Sequence, residues 1–255
     1  MSTIRAILVF ALAASASACV TTTSGPRAQS DEEAAIANLN VGVGYLRQNR
    51  PDAAIDALER AIDLDPRLAD AHSALALAYG QLDEHELAEE HHRRATQLDV
   101  NNAAVQNNYA AFLCRRDRWS EAERYFRRAV ENPRYATPAA AYTNAGTCAR
   151  NADDLAKAEE NYRAALELEP GNVDALNGML EIAVINENFL QARAFIQRAF
   201  AAGTPTARHL QLCVLVERQL SDAEAARNCE DRLRSSFPNS AEFGQLREQE
   251  RNAGQ

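Results

Sequence analysis

Residues 107–150 read NNYAAFLCRRDRWSEAERYFRRAVENPRYATPAAAYTNAGTCAR. After Trp119, the residues Ala122, Phe126 and Ala129 recur at helical spacing, so one face of that segment is apolar. Leu113 and Cys114 close the helix before it, and Asp117-Arg118 makes a short polar break. Pro133 and Pro138 bound the next break, because proline interrupts a helix. The stretch therefore predicts helix, turn, helix, loop, helix.

The same pattern extends in both directions. Ala54, Ala88 and Ala122 are spaced by 34 residues, and Ala61, Ala95 and Ala129 keep that spacing. Ala158 and Ala165 follow 36 residues on, so the loop near Pro133 carries two extra residues; Ala192 and Ala199 return to 34. Small residues let two antiparallel helices approach closely while larger neighbours fill the groove. A 34-residue period of this kind is the mark of the tetratricopeptide repeat. Its eighth position, a small one, is filled by Gly42, Ala76, Ala110 and Gly146, and by Leu180 in the fifth repeat. Tyr45, Tyr79 and Leu113 stand three places on, where the fourth repeat has Ala149. A sixth repeat, roughly 207–238, fits with a one-residue slip. The expected fold is all-α, a superhelix of about six helix-turn-helix repeats. Stacked repeats share one core, so residues 31–243 form one solenoid. Residues 244–255 read as a tail.

Charge narrows the partners. The chain carries 27 Lys and Arg against 36 Asp and Glu, a net charge of -9. A phosphate backbone needs a basic face, so nucleic acid is not expected as a partner. No G-x-G-x-x-G, P-loop or G-x-S-x-G occurs, so no cofactor, small-molecule substrate or enzymatic activity is expected. His85 and His92 share a helical face about 10 Å apart along the axis, too far for one ion. His92 takes a position that core residues normally fill, and reads as a packed histidine. No metal is expected. The run Arg115-Arg116-Asp117-Arg118 closes a helix, where cations offset the dipole.

The N-terminus carries Arg5, an apolar run over 6–14, and small residues before Cys19. Residues 1–18 read as a signal peptide. Ala16-Ser17-Ala18-Cys19 resembles a bacterial lipobox, which would make Cys19 the lipid-attachment site; cleavage near Ala18 by an ordinary secretory route is the alternative. Several acyl chains, at about 0.8 kcal/mol per buried CH₂, would anchor the chain stably. Residues 19–30 read as a polar tether containing Gly25-Pro26. Beyond the inner membrane, thiols are free to pair. Cys114, Cys148, Cys213 and Cys229 allow three pairings. Helix positions favour Cys114 with Cys148, on adjacent first helices, and Cys213 with Cys229, in one hairpin. Four buried thiols are the other reading.

In a superhelix of these repeats the first helices line the concave face, with positions two, five, nine and twelve pointing inward. In repeat one these are Ile36, Leu39, Val43 and Leu46, all apolar and on one stripe. Either an N-terminal segment covers this helix or it offers a patch to a partner. Leu77 continues the stripe in repeat two beside Asp70, Ser73 and Gly80. Leu39 and Val43 stand where chaperone-binding repeat proteins carry a carboxylate-clamping lysine and asparagine. An apolar segment therefore suits this groove better than a chain terminus.

NNYxxFLC over 107–114, followed by PxYxTPxxAYxNAGxC over 133–148, resembles the type IV pilus biogenesis and stability lipoprotein family. The resemblance covers about 31–243, and includes the lipidated N-terminus, six repeats and the extended loop at 132–138. It implies an outer-membrane lipoprotein acting as a pilotin. Such a protein helps the pilus secretin reach the outer membrane and form its multimer. It also implies an inter-repeat disulfide between Cys114 and Cys148, and, from the absence of aspartate after Cys19, outer-membrane rather than inner-membrane retention. A general periplasmic adaptor, scaffolding cell-wall or outer-membrane assembly proteins, is the alternative.

Overall fold

The phased alanines sit where antiparallel helices touch. Ala54, Ala88, Ala122, Ala158 and Ala192 are fully buried, as are Ala61, Ala95, Ala129 and Ala165. A computed structural model describes residues 26–253, and these form thirteen helices with no strand among them. They pair as α1 (Pro26–Arg47) with α2 (Pro51–Leu64), α3 (Ala69–Gln81) with α4 (His85–Leu98), and α5 (Ala103–Arg115) with α6 (Trp119–Val130). Then come α7 (Pro138–Asn151) with α8 (Leu155–Leu168), α9 (Val173–Ile185) with α10 (Phe189–Ala202), and α11 (Ala207–Gln219) with α12 (Ala223–Ser236). A last helix, α13 (Ala241–Ala253), packs on α11. The result is an all-helical tetratricopeptide superhelix in which the odd-numbered helices neighbour one another along the stack.

The turn inside each repeat is built one way six times. Asn49, Asp83, Asp117, Asp153, Glu187 and Ser221 all adopt positive φ, between 54° and 62°. The residue after each donates its N–H back to the carbonyl five residues earlier, as Arg118 does to Leu113 and Asn188 to Ala183. This closes the helix C-terminus and satisfies carbonyls the helix cannot. Asn and Asp tolerate left-handed backbone better than other L residues, which accounts for four of the six. Glu187 is exposed and has no such tolerance. Glu187→Gly is therefore expected to raise stability by about 0.5 kcal/mol, the relief of the left-handed conformation less glycine's added freedom when unfolded. The urea midpoint checks this.

These turns also fix the register. Ser221 lies 34 residues after Glu187, and Ala226 is buried 34 residues after Ala192. The sixth repeat therefore needs no slip. The sequence reading missed this because Leu233, fully buried, replaces the second alanine of the pair. The two extra residues do fall between repeats three and four. Both ends of the solenoid differ from expectation. Helix α1 starts at Pro26, inside the stretch read as tether. Leu246, in the stretch read as tail, is fully buried, so α13 caps the last repeat. Residues 1–25, with the stretch read as a signal peptide and Cys19, lie outside the described residues.

The apolar core is not one continuous body. One cluster runs from α8 to α13, with Tyr162, Leu176, Met179, Leu210 and Leu246 at its centre. A second holds Ala88, Tyr109, Phe112, Leu113, Phe126 and Cys148. A third lies among α2 and α3, around Leu58 and Leu75. The boundary between the first two falls within α7, where Ala145 and Cys148 belong with the second cluster while Tyr142 and Ala149 pack on the first. Tyr162 fits against two glycines: a Cβ on Gly146 would stand 2.7 Å from its ring, and one on Gly178 closer still.

Candidate protein-binding surface

Helix α1 is where the stack begins among the described residues, and its outward face shows it. In α3 the stripe Ala71, Leu75 and Ala78 is buried, with Leu75 only 2% exposed. The matching stripe of α1 is Ala37, Val41 and Gly44. Val41 is 49% exposed, Ala37 is exposed, and a Cβ placed on Gly44 would meet nothing within 4 Å. Ile36, beside this stripe, is 44% exposed. An apolar helix face that the later repeats bury, apart from the half-buried Ala145 of the fourth, is thus open in the first.

The residues expected to line the groove are divided. Ile36 is free. Leu39, Val43 and Leu46 are half-buried, packed on the cluster of Ala54, Leu58, Ala74, Leu75 and Ala78. They form the joint between the first two repeats more than an open wall. Leu77 on α3 is half-buried too. The position rule used for the sequence describes which way a side chain points, and the next helix decides whether it stays accessible. Val41 was not singled out, though its equivalents Leu75 and Tyr109 are core residues; among the described residues nothing earlier in the stack covers it.

Elsewhere neighbouring odd-numbered helices are joined by polar side chains. Asn108 Nδ2 donates to Ser73 Oγ at 3.1 Å, linking α5 to α3. Asn144 Nδ2 donates to Asn107 Oδ1 at 3.1 Å, linking α7 to α5. His209 pairs with Asn177, and Gln211 Nε2 donates to Gln245 Oε1 at 2.9 Å. An apolar N-terminal joint thus gives way to amide-bonded ones. The basic run is tied into the structure as well: Arg118 bridges Glu89 at 2.6 Å and Glu121 at 2.7 Å.

Two cysteine pairs are bonded. Cys114 on α5 joins Cys148 on α7, with Cα atoms 5.6 Å apart. Cys213 on α11 joins Cys229 on α12, at 6.0 Å. Both separations lie in the range a disulfide requires.

The histidines hold no metal-like cluster: among the described residues no three His, Cys, Asp or Glu side chains converge. His72 and His91 face each other, Nδ1 to Nδ1 at 3.0 Å, and burial lowers the pKa of both. His92 is fully buried between Tyr109 and Phe112, and neither ring nitrogen has a hydrogen-bond partner. Its pKa is pushed down to about 3, first by burial and then by the Arg115 and His91 charges. The unfolded chain binds a proton there below pH 6.5 and the folded chain does not, so stability falls as pH drops through that window. Between pH 7 and 5 the loss from His92 alone is about 2 kcal/mol. Equivalent positions hold Leu58, Phe126, Tyr162 and Ile196. His92→Leu is expected to flatten the acid limb of a stability–pH curve and to raise stability at pH 7; an unchanged slope would show that other groups control it.

Profiles of the tetratricopeptide repeat match residues 42–83 and 139–172. The chain is 30% identical to the type IV pilus assembly protein PilF of Pseudomonas aeruginosa, over 94% of this chain and 97% of that one. An uncharacterized protein of Haemophilus influenzae is 30% identical over 59% of this chain and 81% of its own. A solved structure of Pseudomonas aeruginosa PilF superposes with a TM-score of 0.78 at 27% identity, covering 86% of this chain and 99% of that one. PilW, described as a widely conserved type IV pilus biogenesis factor, superposes at 0.76 with 26% identity, covering 83% of this chain and 97% of that one.

Proposed function

This chain belongs to the PilF/PilW family of type IV pilus biogenesis tetratricopeptide proteins, and from that premise we propose that it is a pilotin for the pilus secretin. It binds secretin subunits, carries them to the outer membrane and promotes their assembly into the multimer. The observation that carries this reading is the open apolar face of α1, where Ile36 and Val41 stand exposed at the start of the stack. An apolar segment of the secretin docks there as a helix or a strand, covering the face that an earlier repeat would otherwise bury.

Lipid on Cys19 holds the protein at the periplasmic side of the outer membrane. The short separation in sequence between Cys19 and α1 keeps the binding face near the bilayer. Subunits captured there are concentrated on a surface, which favours multimer formation without any new contact between them. The work is done by binding and placement, with no bond made or broken.

The test is to fractionate envelope membranes and run the secretin unboiled, with and without this protein. Loss of the multimer, with monomer left in the inner membrane, supports the proposal. An unchanged multimer at the outer membrane ends it.

A further inference from the structure

Repeat four is underfilled where it meets repeat three. Its seventh position is Ala145, whose counterparts Leu75, Tyr109 and Met179 are buried large side chains, 2–4% exposed. Its eleventh is Ala149, where earlier repeats have Tyr79 and Leu113. A cavity of about 500 Å³ occupies the space these truncations leave between α6, α7 and α8. Trp119, Phe126 and Val130 of α6 form one wall, and Tyr142, Ala145 and Ala149 of α7 the other. The mouth is polar. Glu123, Glu131, Asp154 and Glu160 stand there against Arg127 and Lys157. Lys157 is already engaged, its Nζ 3.2 Å from Glu160 and 3.9 Å from Glu123, which ties α8 to α6 across the opening.

We propose that this cavity is a second docking site, which takes a helical protein segment bearing two large apolar side chains one turn apart, flanked by lysine or arginine. The apolar walls supply the missing neighbours for those side chains, whose burial drives binding. A rim with four carboxylates and two cations attracts a basic flank and repels an acidic one. The site is separate from the α1 face, so its failure would leave the pilotin reading standing, and the reverse also holds.

The chain's single tryptophan, Trp119, lines the cavity and reports on it. The probe is a blocked helical peptide with two phenylalanines one turn apart between lysines. Titrating it is expected to shift Trp119 emission saturably. Ala145→Leu fills the cavity and is expected to weaken binding about tenfold or more while the protein keeps its thermal transition. Glu131→Arg, an exposed change at the rim, is expected to weaken this peptide and strengthen one flanked by glutamates. An absent or unsaturable shift overturns the proposal, as does full affinity in both variants or equal affinity for the glutamate-flanked peptide. Blocked phenylalanine alone binding as tightly as the peptide would make this a small-molecule site and overturn it equally.

Discussion

Replacing Ile36 and Val41 together by aspartate is expected to abolish the secretin multimer while leaving the fold intact. Both side chains are exposed, so the substitution removes little packing from the isolated protein. In the complex it would bury two carboxylates against an apolar segment. An unpaired buried charge costs several kcal/mol, and about 3 kcal/mol already lowers affinity by more than a hundredfold. The variant should retain the helical circular dichroism and thermal midpoint of the parent. Multimer yield on an unboiled gel should fall to the level seen without the protein. Leu39→Asp is a poorer probe, because Leu39 packs between the first two repeats and its loss would damage the fold as well. Normal multimers in the Ile36 and Val41 variant would remove α1 as the docking face.

The largest change in stability is expected from Cys114→Ser with Cys148→Ser. The bond closes a sequence separation of 34. Chain-entropy arguments put the contribution of such a cross-link at about 3–4 kcal/mol. Both cysteines belong to the second apolar cluster, at the α7 edge where it shares no buried residue with the first, so little common core compensates for the loss of the bond. Urea unfolding of the double variant, in a background with Cys213 and Cys229 also replaced by serine, measures it. Dithiothreitol should then lower the stability of the background protein and leave the quadruple variant unchanged. A loss under about 1 kcal/mol would mean that the bond constrains the unfolded chain little.

Most of the architecture was legible because the alanine pairs are a packing requirement repeated in phase. Close helix contact leaves no other choice at Ala88 or Ala122, and the two-residue insertion was visible as a shift in that phase. What escaped had other causes. Leu233 satisfies the same contact with a larger residue, so the last repeat looked displaced. Leu246 belongs to a short amphipathic helix with no partner of its own, and its burial depends on α11. Of the residues expected to line the groove, Ile36 is exposed, whereas Leu39, Val43 and Leu46 are drawn into a joint that only the neighbouring helix reveals. Val41 was missed because a core-type residue at a core-type position reads as buried, and only the fold shows that no described helix covers it. Both favoured cysteine pairings followed from helix adjacency. The cavity was foreshadowed by Ala149, the residue out of pattern.

The divided core has a consequence for how the molecule comes apart. In a stack where each repeat touches only its neighbours, cooperativity travels through shared apolar contacts. Here that coupling thins within α7, where no buried residue is shared between the two larger clusters, so the chain should behave as two foldons. Native-state amide exchange would show the first three repeats opening at a lower free energy than the last three. The covalent link between α5 and α7 then acts as a hinge pin: the N-terminal half can yield to a partner and close again without losing its place in the stack.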